Sequence, residues 1–550
     1  CRRRRPRRRR RHRHRPQGPG GGSAGAPPLP GRGARPCAAR PPPRPGMCSF
    51  LATSWLIANL THVNFFLRPR GPDHTVLTSL HGFSFVHNLL HMTGDWVSQP
   101  FIDAQHALAA LYNGEVYNFE ALAASADPPR SDGDVLLPMY RKYGAVFPRV
   151  LDGEFALVVF DFRRGLAVLA TDAFATKPLW FSVHGGLHVA SYKSALLRLG
   201  VPSDGIRMAE PNAVTVFSLG AGGGARVARR HTLHEFDLRQ FKEDTGDFQA
   251  AFERAVLKRA RHGLHPAFVG LSSGYDSGAI HAALARAGVA HFAYTVYSTE
   301  DEATLARRIE WAGPVAETRL VVLGGGDLER EAGHLAALCE PFRYRAARGQ
   351  RLAVAEDPAS SGLSYIFREA RRRGILVYLS GSGADEIISD YGHGGVRIFP
   401  HSNFGGLFPG DLALLFPWPS FFLGTQRDYL MKEELVAGTH GVEARYPFLD
   451  RRVVQEFLWL SEASKNAKYK APVHDWLARL GYPFRPGEKL GFNAAHNVRW
   501  EEGRSLVATY NARDAPHDIS GARDSDPPPS GGRERWRRSA AEGGRERWRR

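Results

Sequence analysis

Two segments of small residues follow short apolar stretches in the second half of the chain. Residues 272–277, with the sequence SSGYDS, come after the apolar run 267–271, and residues 380–386, SGSGADE, come after 375–379. Small side chains let backbone N–H groups approach an anion closely, and the positive end of a helix attracts negative charge. We therefore predict a phosphate-binding loop at 272–277. It is not a Walker A loop, because the lysine and the spacing of that motif are missing.

Each of these segments also carries an aspartate, Asp276 in the first and Asp385 in the second. Loops at the carboxyl ends of parallel strands share one crevice, so both segments are expected to face the same ligand. Carboxylate oxygens are the ligands that Mg²⁺ prefers. The loop at 272–277 resembles the pyrophosphate loop of ATP-pyrophosphatases, so we predict that the two aspartates hold Mg²⁺ against a pyrophosphate, with the capping of a helix as the alternative for Asp385.

A cysteine in the first half has the position of a nucleophile. Cys48 directly follows Met47, the first methionine of the sequence. Removal of the methionine would leave Cys48 with a free α-amino group, whose ordinary pKa of roughly 8 suits a general base for its own thiol. The alternative is a small, buried core residue.

The elements that must position these groups differ between the two halves. Short alternating apolar runs, such as 155–160 with 166–170 and 180–183 with 187–190, predict antiparallel hairpins. After the glycines at 220–224, apolar runs alternate with helical segments, which indicates a parallel, doubly wound α/β sheet. We predict an α+β domain at 48–215, a linker at 216–245 and a phosphate-binding α/β domain at 246–510, for which the resemblance described below implies ATP as the ligand.

The charge of the chain is concentrated at its ends. The formal net charge is +18, but residues 1–46 hold fifteen Arg and no acidic residue, and 516–550 hold nine Arg and six acidic residues. Residues 47–515 are therefore neutral, which argues against specific nucleic-acid binding. We expect both ends to be disordered. We also expect 1–46 to be upstream sequence that is not in the working protein, with a targeting extension as the alternative.

Cysteine usage and hydropathy exclude other classes. The four cysteines lie at positions 1, 37, 48 and 339, too far apart for a zinc site or a disulfide framework. A reducing compartment, the cytoplasm, is favoured. No stretch of 18 or more apolar residues is present, so no transmembrane helix is expected.

Several motifs of the second half together resemble the synthetase domain of glutamine-hydrolysing asparagine synthetases. They are SSGYDS, SGSGADE, GVEARYPFLD at 441–450 and KLGF at 489–492. The resemblance implies that ATP activates the aspartate side chain as an acyl adenylate, which ammonia converts to the amide. It also implies a lysine at the leaving pyrophosphate, Lys468 or Lys470, with Lys468 the first choice. The implied ATP-binding residues are Leu271, Ser272, Ser273, Gly274, Asp276, Ser277, Val296, Ser380 and Gly381.

The first half resembles the class II glutamine amidotransferase domain of the same family. The matching segments, in the family's order, are MCSF at 47–50, RGPD at 70–73, NGEVYN at 113–118, SDGD at 131–134, LDGEFA at 151–156 and KPLW at 177–180. The resemblance implies an Ntn-hydrolase-like αββα sandwich in which Cys48 attacks glutamine. The Asn113 side chain and the Gly114 N–H would form the oxyanion hole. The residues implied to bind glutamine are Arg70, Asn113, Gly114, Glu115 and Asp132, with Asp132 receiving the α-ammonium.

Two positions depart from the family pattern. The family's Arg that clamps the glutamine α-carboxylate aligns with Leu89, and an apolar residue cannot make that charge-assisted contact. The family's SGEGADE has Glu where this chain has Ser382, and serine cannot serve as a carboxylate. The first departure predicts weaker glutamine binding, and the second predicts either a different acyl-acceptor chemistry or a relaxed specificity for aspartate.

Because of these departures, the sequence also allows two alternatives to asparagine synthesis. One is an amide ligase for another carboxylic acid, as β-lactam synthetases are, although those lack the nucleophilic Cys. Another is a non-catalytic relative that binds nucleotide and acts as a regulatory module. Two active sites on one chain imply an enclosed apolar passage for ammonia, and the family resemblance also allows a homodimer.

Overall fold

The computed structural model describes residues 48–123, 129–220, 224–297, 300–345 and 351–488, together with the backbone of 506–510. The predictions for the arginine-rich segment 1–46, for KLGF at 489–492 and for the tail 516–550 lie outside these residues.

Within the described part of the chain, residues 48–232 form two six-stranded antiparallel sheets. Their strands are β1 Ser49–Thr53, β2 His74–Leu80, β3 Phe83–Leu89, β4 Phe101–Asp103, β5 Leu108–Val116, β6 Gly153–Asp161, β7 Leu166–Thr171, β8 Trp180–Ser182, β9 His188–Ala190, β10 Arg207–Met208, β11 Ala213–Leu219 and β12 Ala225–Thr232. The strand order is β10-β8-β9-β1-β3-β2 in the first sheet and β12-β11-β7-β6-β5-β4 in the second. The predicted hairpins are confirmed as β6–β7 and β8–β9.

The two sheets pack face to face and helices cover their outer faces. The helices are α1 Leu60–Val63, α2 Phe119–Leu122, α3 Leu136–Tyr143 and α4 Lys193–Leu199. Phe50 and Phe85 of the first sheet share a buried core with Val158 of the second. Because side chains alternate along a strand, the opposite faces are also apolar and bury against α4 and α3 respectively. The layers are therefore helix, sheet, sheet, helix.

Part of the predicted linker is a strand pair of the second sheet. β11 and β12 pair from Ala213 with Thr232 to Leu219 with Ala225, and Gly220 N–H donates to Gly224 O at 2.7 Å. Residues 216–219 and 225–232, assigned above to a linker, are thus strands of the second sheet. Gly220 and Gly224, at the two ends of the glycine cluster, adjoin the paired strands β11 and β12.

The second half is built on a largely parallel six-stranded sheet. Its strands are β13 Ala267–Gly270, β14 His291–Val296, β15 Ala316–Val322, β18 Val377–Leu379, β21 Glu443–Arg445 and β22 Leu506–Tyr510, and the short strands β16 Arg343–Arg345, β17 Arg351–Ala353, β19 Gly392–His393 and β20 Val396–Arg397 form two separate pairs. The order is β21-β18-β13-β14-β15-β22. Neighbours pair in parallel except β22, which pairs antiparallel with β15 and was not predicted.

Helices connect the strands of this sheet, as the alternating pattern predicts. They are α5 Gly246–Arg261, α6 Tyr275–Arg286, α7 Glu302–Ala312, α8 Gly325–Leu338, α9 Pro358–Arg372, α10 Pro419–Phe422, α11 Gly424–His440, α12 Arg451–Trp459, α13 Glu462–Asn466 and α14 Ala471–Arg479. α6 packs on β13 and α9 on β14. Among the described helices, none combines the length and the apolar character that crossing a membrane requires.

Candidate active sites

The two small-residue loops of the second half lie side by side. β13 and β18 are parallel neighbours, with Val269 opposite Leu379, so the loops that follow them emerge at the same edge of the sheet. The contact between the loops is close, because a Cβ built on Gly381 would lie 2.9 Å from the Cβ of Asp276. Only glycine permits this approach, and the predicted neighbourhood of the two loops is confirmed.

The loop before α6 is held in a compact turn. Ser272 Oγ lies 2.8 Å from Ser277 Oγ and accepts a hydrogen bond from Gly274 N–H at 3.1 Å. The buried guanidinium of Arg308 donates to the carbonyls of Ser272 and Gly274. Carbonyl groups of the loop therefore point to Arg308, and the amino-terminal end of α6 opens beside it, an arrangement suited to an anion.

A carboxylate already contacts this loop. Ser273 donates from its N–H to Glu300 Oε2 at 2.5 Å and also from its hydroxyl to the same oxygen. Burial raises the pKa of Glu300. The Ser273 N–H, predicted to face phosphate, thus donates to a side chain of the same protein. Leu271 and Val296, also predicted at the nucleotide site, are almost completely buried at the end of β13 and of β14.

Asp276 and Asp385 converge on a lysine. Lys470 Nζ lies 2.6 Å from Asp276 Oδ1 and 2.9 Å from Asp385 Oδ1, and its side chain is 1% exposed. The two carboxylates raise the pKa of Lys470 against the opposing effect of burial. Lys468, the first choice from the sequence, is 50% exposed and pairs with Asp475 instead. The structure therefore brings Lys470, and not Lys468, to this cluster.

Cys48 opens into a pocket of the first half. The pocket is lined by Cys48, Leu89, Gly114, Glu115 and Asp132, among others. Cys48 Sγ accepts a hydrogen bond from Leu90 N–H at 3.3 Å, and burial raises the pKa of the thiol well above its ordinary range. A thiol in this state needs a neighbouring proton acceptor before it can act as a nucleophile.

Buried carboxylates form one wall of this pocket. Asp132 accepts hydrogen bonds from Val116 N–H at 2.9 Å and from the Tyr112 hydroxyl. Burial, and next the charge of Glu115, raise the pKa of Asp132 to about 7. Glu115, whose pKa burial raises to about 8, lies 2.8 Å from His262 Nε2. Ligand atoms of Glu115, Asp132 and His262 lie within 4.8 Å of one another, so the wall is suited to a cation.

Asn113 and Gly114 lie on β5 beside this wall. Both polar atoms of the buried Asn113 side chain lack a hydrogen-bond partner among the described residues. Such groups are costly unless a ligand satisfies them. Gly114 has φ +134°, and a Cβ there would lie 1.9 Å from Glu154 O, so no other residue fits.

Arg70 lies behind Cys48 and is absent from the described residues that line the pocket. Its Nε donates to the Cys48 carbonyl at 3.2 Å, and its Nη2 pairs with Glu434 Oε2 at 2.5 Å. Arg70 therefore contacts the backbone of Cys48, and its contact with glutamine stays a prediction. Leu89, 5% exposed, lines the pocket with an apolar side chain.

The two halves match two different family models. Residues 47–217 match the model of the glutamine amidotransferase domain, and residues 247–405 match that of asparagine synthase. The glutamine-hydrolyzing asparagine synthetase of Brassica oleracea is 25% identical over 82% of this chain and 77% of its own length. The chain belongs to the glutamine-hydrolysing asparagine synthetase family.

Other members of the asparagine synthetase family show a similar match. Asparagine synthetase 2 of Arabidopsis thaliana is 27% identical over 85% of this chain and 82% of its own. Asparagine synthetase B of Escherichia coli is 23% identical over 72% of this chain and 71% of its own. A solved glutamine phosphoribosylpyrophosphate amidotransferase from B. subtilis covers 41% of this chain and 55% of its own at 15% identity, with a TM-score of 0.25, too low to bear on the fold.

Two glutamates of α11, Glu433 and Glu434, contact the proposed sites but were not predicted from the sequence. Glu434 is fully buried and binds both Arg70 and Lys177 of the first half. Glu433, its neighbour, contacts the loop that contains Ser382. No motif marks either residue. The signal available in the sequence was a pair of adjacent acidic residues in the middle of a helix. The second of them, Glu434, comes four residues before the buried Gly438.

Proposed function

We propose that this chain is an ATP-dependent amide ligase that makes asparagine from aspartate, with glutamine as the nitrogen donor. The observation that carries the proposal is the cluster of Asp276, Asp385 and Lys470, which joins the two loops at the carboxyl edge of the parallel sheet. A second site with a cysteine nucleophile in the other half supports it.

In the synthetase half, the substrate carboxylate attacks the α-phosphorus of ATP. An acyl adenylate forms and pyrophosphate leaves, and ammonia then attacks the acyl carbon, so that AMP leaves with the electron pair of the broken C–O bond. The proposed phosphate-binding groups are Ser272, Ser273, Gly274, Ser277, Ser380 and Gly381. The ammonium of Lys470 stabilises the charge that develops on pyrophosphate. Lys470 therefore takes the role that the sequence analysis assigned first to Lys468.

Mg²⁺ is part of this proposal. Asp276 and Asp385 offer carboxylate oxygens from adjoining loops, the donor type that fits a hard cation beside a phosphate site. The two aspartates would hold the ion, and its positive charge would neutralise the pyrophosphate.

In the amidotransferase half, the Cys48 thiolate attacks the carboxamide carbon of glutamine, ammonia leaves, and water hydrolyses the thioester. Asn113 and Gly114 provide the donors for the oxyanion, and Asp132 pairs with the α-ammonium. The unpartnered amide of Asn113 supports this role. The reaction requires the α-amine of Cys48 as proton acceptor, and therefore release of this residue as an amino terminus.

We further propose that the first half is an Ntn-hydrolase-like αββα domain ending after β12, with the synthetase domain at 246–510. The pairing of β11 with β12 supports this boundary over one at 215. The homodimer, the cytoplasmic location and the ammonia passage stay predictions.

A second candidate is an amide ligase for a different carboxylic acid. The position of Ser382 favours it, because the loop at 380–386 carries a hydroxyl where the family has a carboxylate. A site with altered charge beside the acyl group can accept an altered acid.

The experiment is an assay of AMP formation from ATP with glutamine, with and without aspartate. Aspartate-dependent AMP and asparagine in equal amounts support the first proposal. AMP formed only with another acid, from a panel of amino and β-amino acids, supports the second candidate. A folded protein that forms no AMP with any acid contradicts both and favours the non-catalytic alternative.

A further inference from the structure

The loop that contains Ser382 is in contact with a carboxylate from another element. Glu433, on α11, accepts a hydrogen bond from Ser380 Oγ at 2.5 Å and a second from the Ser382 hydroxyl. Ser382 N–H donates to Ser380 Oγ at 3.0 Å. The three residues form one connected group, so the Glu433 carboxylate is fixed at the residue where the loop itself has no acid.

This group adjoins the proposed synthetase site. Gly381, between the two serines, packs directly on Asp276, and the loop ends at Asp385, which pairs with Lys470. Glu433 thus contacts the same loop that packs on Asp276 and contains Asp385. Its side chain is partly exposed, whereas that of the adjacent Glu434 is completely buried.

The two neighbouring glutamates differ in their ionic partners. Glu434 pairs with Arg70 and Lys177. Glu433 forms no salt bridge with any residue that the structure describes, and Lys432 beside it pairs with Asp357. Burial raises the pKa of Glu433 to about 7, while the hydrogen bonds from the loop serines oppose this shift. A carboxylate that titrates near neutrality is suited to accept a proton during catalysis.

We propose that Glu433 is the proton acceptor of the synthetase site, in place of the acid that the loop lacks at Ser382. As the nitrogen of ammonia bonds to the acyl carbon and AMP departs, one N–H proton passes to the Glu433 carboxylate and then to solvent. Ser380 and Ser382 are positioning residues that orient this carboxylate. The inference rests on the proposed function, because it assigns a step of the same reaction.

The test compares Glu433→Gln with the unchanged protein, using ammonia as nitrogen donor so that Cys48 is not required. Adenylation is measured by exchange of pyrophosphate into ATP, and amide formation by product. Gln keeps an oxygen that accepts both serine hydrogen bonds but cannot take a proton. We expect amide formation to fall about 100-fold or more, with exchange retained. The control is Glu329→Gln on the exposed surface of α8, which should change neither.

A second variant tests the placement of the charge. Ser382→Glu in the Glu433→Gln background returns a carboxylate to the loop and should raise amide formation at least tenfold above that of Glu433→Gln alone.

The pH dependence of amide formation provides a further test. In the unchanged protein, the groups that act on the Glu433 charge are Lys432 and Glu434 on its own helix and Tyr378 and Tyr446 opposite. At equal concentrations of unprotonated ammonia, the rise of the amide-forming rate through about pH 7 should be absent from Glu433→Gln.

Several outcomes would overturn the inference. If Glu433→Gln formed the amide at a rate within threefold of the unchanged protein, Glu433 would be excluded as the proton acceptor. Loss of exchange and amide formation together, without recovery in the double variant, would assign Glu433 a structural role. Absence of exchange in the unchanged protein with every acid would instead contradict the proposed function itself, and this step with it.

Discussion

Arg70 and Glu434 form a completely buried ion pair between the two halves of the molecule, with Nη2 2.5 Å from Oε2. The same guanidinium donates to the carbonyl of Cys48, and the same carboxylate binds Lys177 at 2.8 Å. The backbone of the proposed nucleophile is therefore connected through one arginine to α11, the helix that carries Glu433. This relationship couples the positions of the two proposed sites.

Replacing one partner of this pair should be strongly destabilising. Arg70→Met leaves the Glu434 carboxylate buried with fewer partners, which costs about 3–5 kcal/mol in comparable cases. We expect a clear drop in the urea midpoint of unfolding and a loss of glutaminase activity. The exposed pair of Arg239 with Asp237 provides the control, and Arg239→Met should leave the midpoint unchanged. Equal midpoints for both variants would show that the buried pair does not join the halves.

Lys470 should be far more important than Lys468 for adenylation. Lys470→Met removes the ammonium between Asp276 and Asp385, and we expect pyrophosphate exchange to fall roughly 100- to 1000-fold. Lys468→Met removes a half-exposed cation that pairs with Asp475 and should change exchange less than twofold. The reverse order of effects would return the role to Lys468.

Leu89 should limit the use of glutamine. Leu89→Arg introduces a cation at the pocket, and a charge-assisted hydrogen bond to the α-carboxylate contributes about 1.5–3 kcal/mol. The KM for glutamine should therefore fall roughly 10- to 150-fold, without a change in ammonia-dependent synthesis. Leu89→Met keeps the apolar pocket and is the matched control. A KM unaffected by the arginine would mean that the α-carboxylate binds elsewhere.

The affinity for glutamine should depend on the ionisation of Asp132. Its pKa of about 7 means that the carboxylate needed by the α-ammonium is lost as the pH falls below 7, so the KM for glutamine should rise there. Stability changes in the opposite direction. Because the folded-state pKa lies above the ordinary value of 3.8, the contribution of Asp132 to stability is present at low pH and lost as the pH rises to about 7. Asp132→Asn should remove this pH dependence, and a KM that stays pH-dependent in the variant would assign it to another group.

Local features of this protein were predictable because strand, loop and helix signals are contiguous in the sequence. The stretch from β13 through the serine loop into α6 is one such case, and the alternation of elements predicts the parallel sheet that contains β13 and β18. The glycines near 220 suggested a boundary because glycine is common both in linkers and in the short connections of paired strands.

Contacts between distant residues were not predictable. Arg70 and Glu434 are 364 positions apart, and Glu433 follows Ser380 by 53. Nothing local distinguishes Lys470 from Lys468. Lys470 has φ +49° at the start of α14, and this backbone turn directs it inward while Lys468 stays at the surface. Such choices are made by packing between elements, which a single sequence does not display.

The division of labour between the two sites is tested most directly by Cys48→Ala, with asparagine formation measured once with glutamine and once with ammonia as the nitrogen donor. Two independent sites predict that glutamine-dependent synthesis disappears while ammonia-dependent synthesis stays within about twofold of the unchanged protein. Loss of both activities in a folded variant, or retention of glutamine-dependent synthesis, would contradict the account.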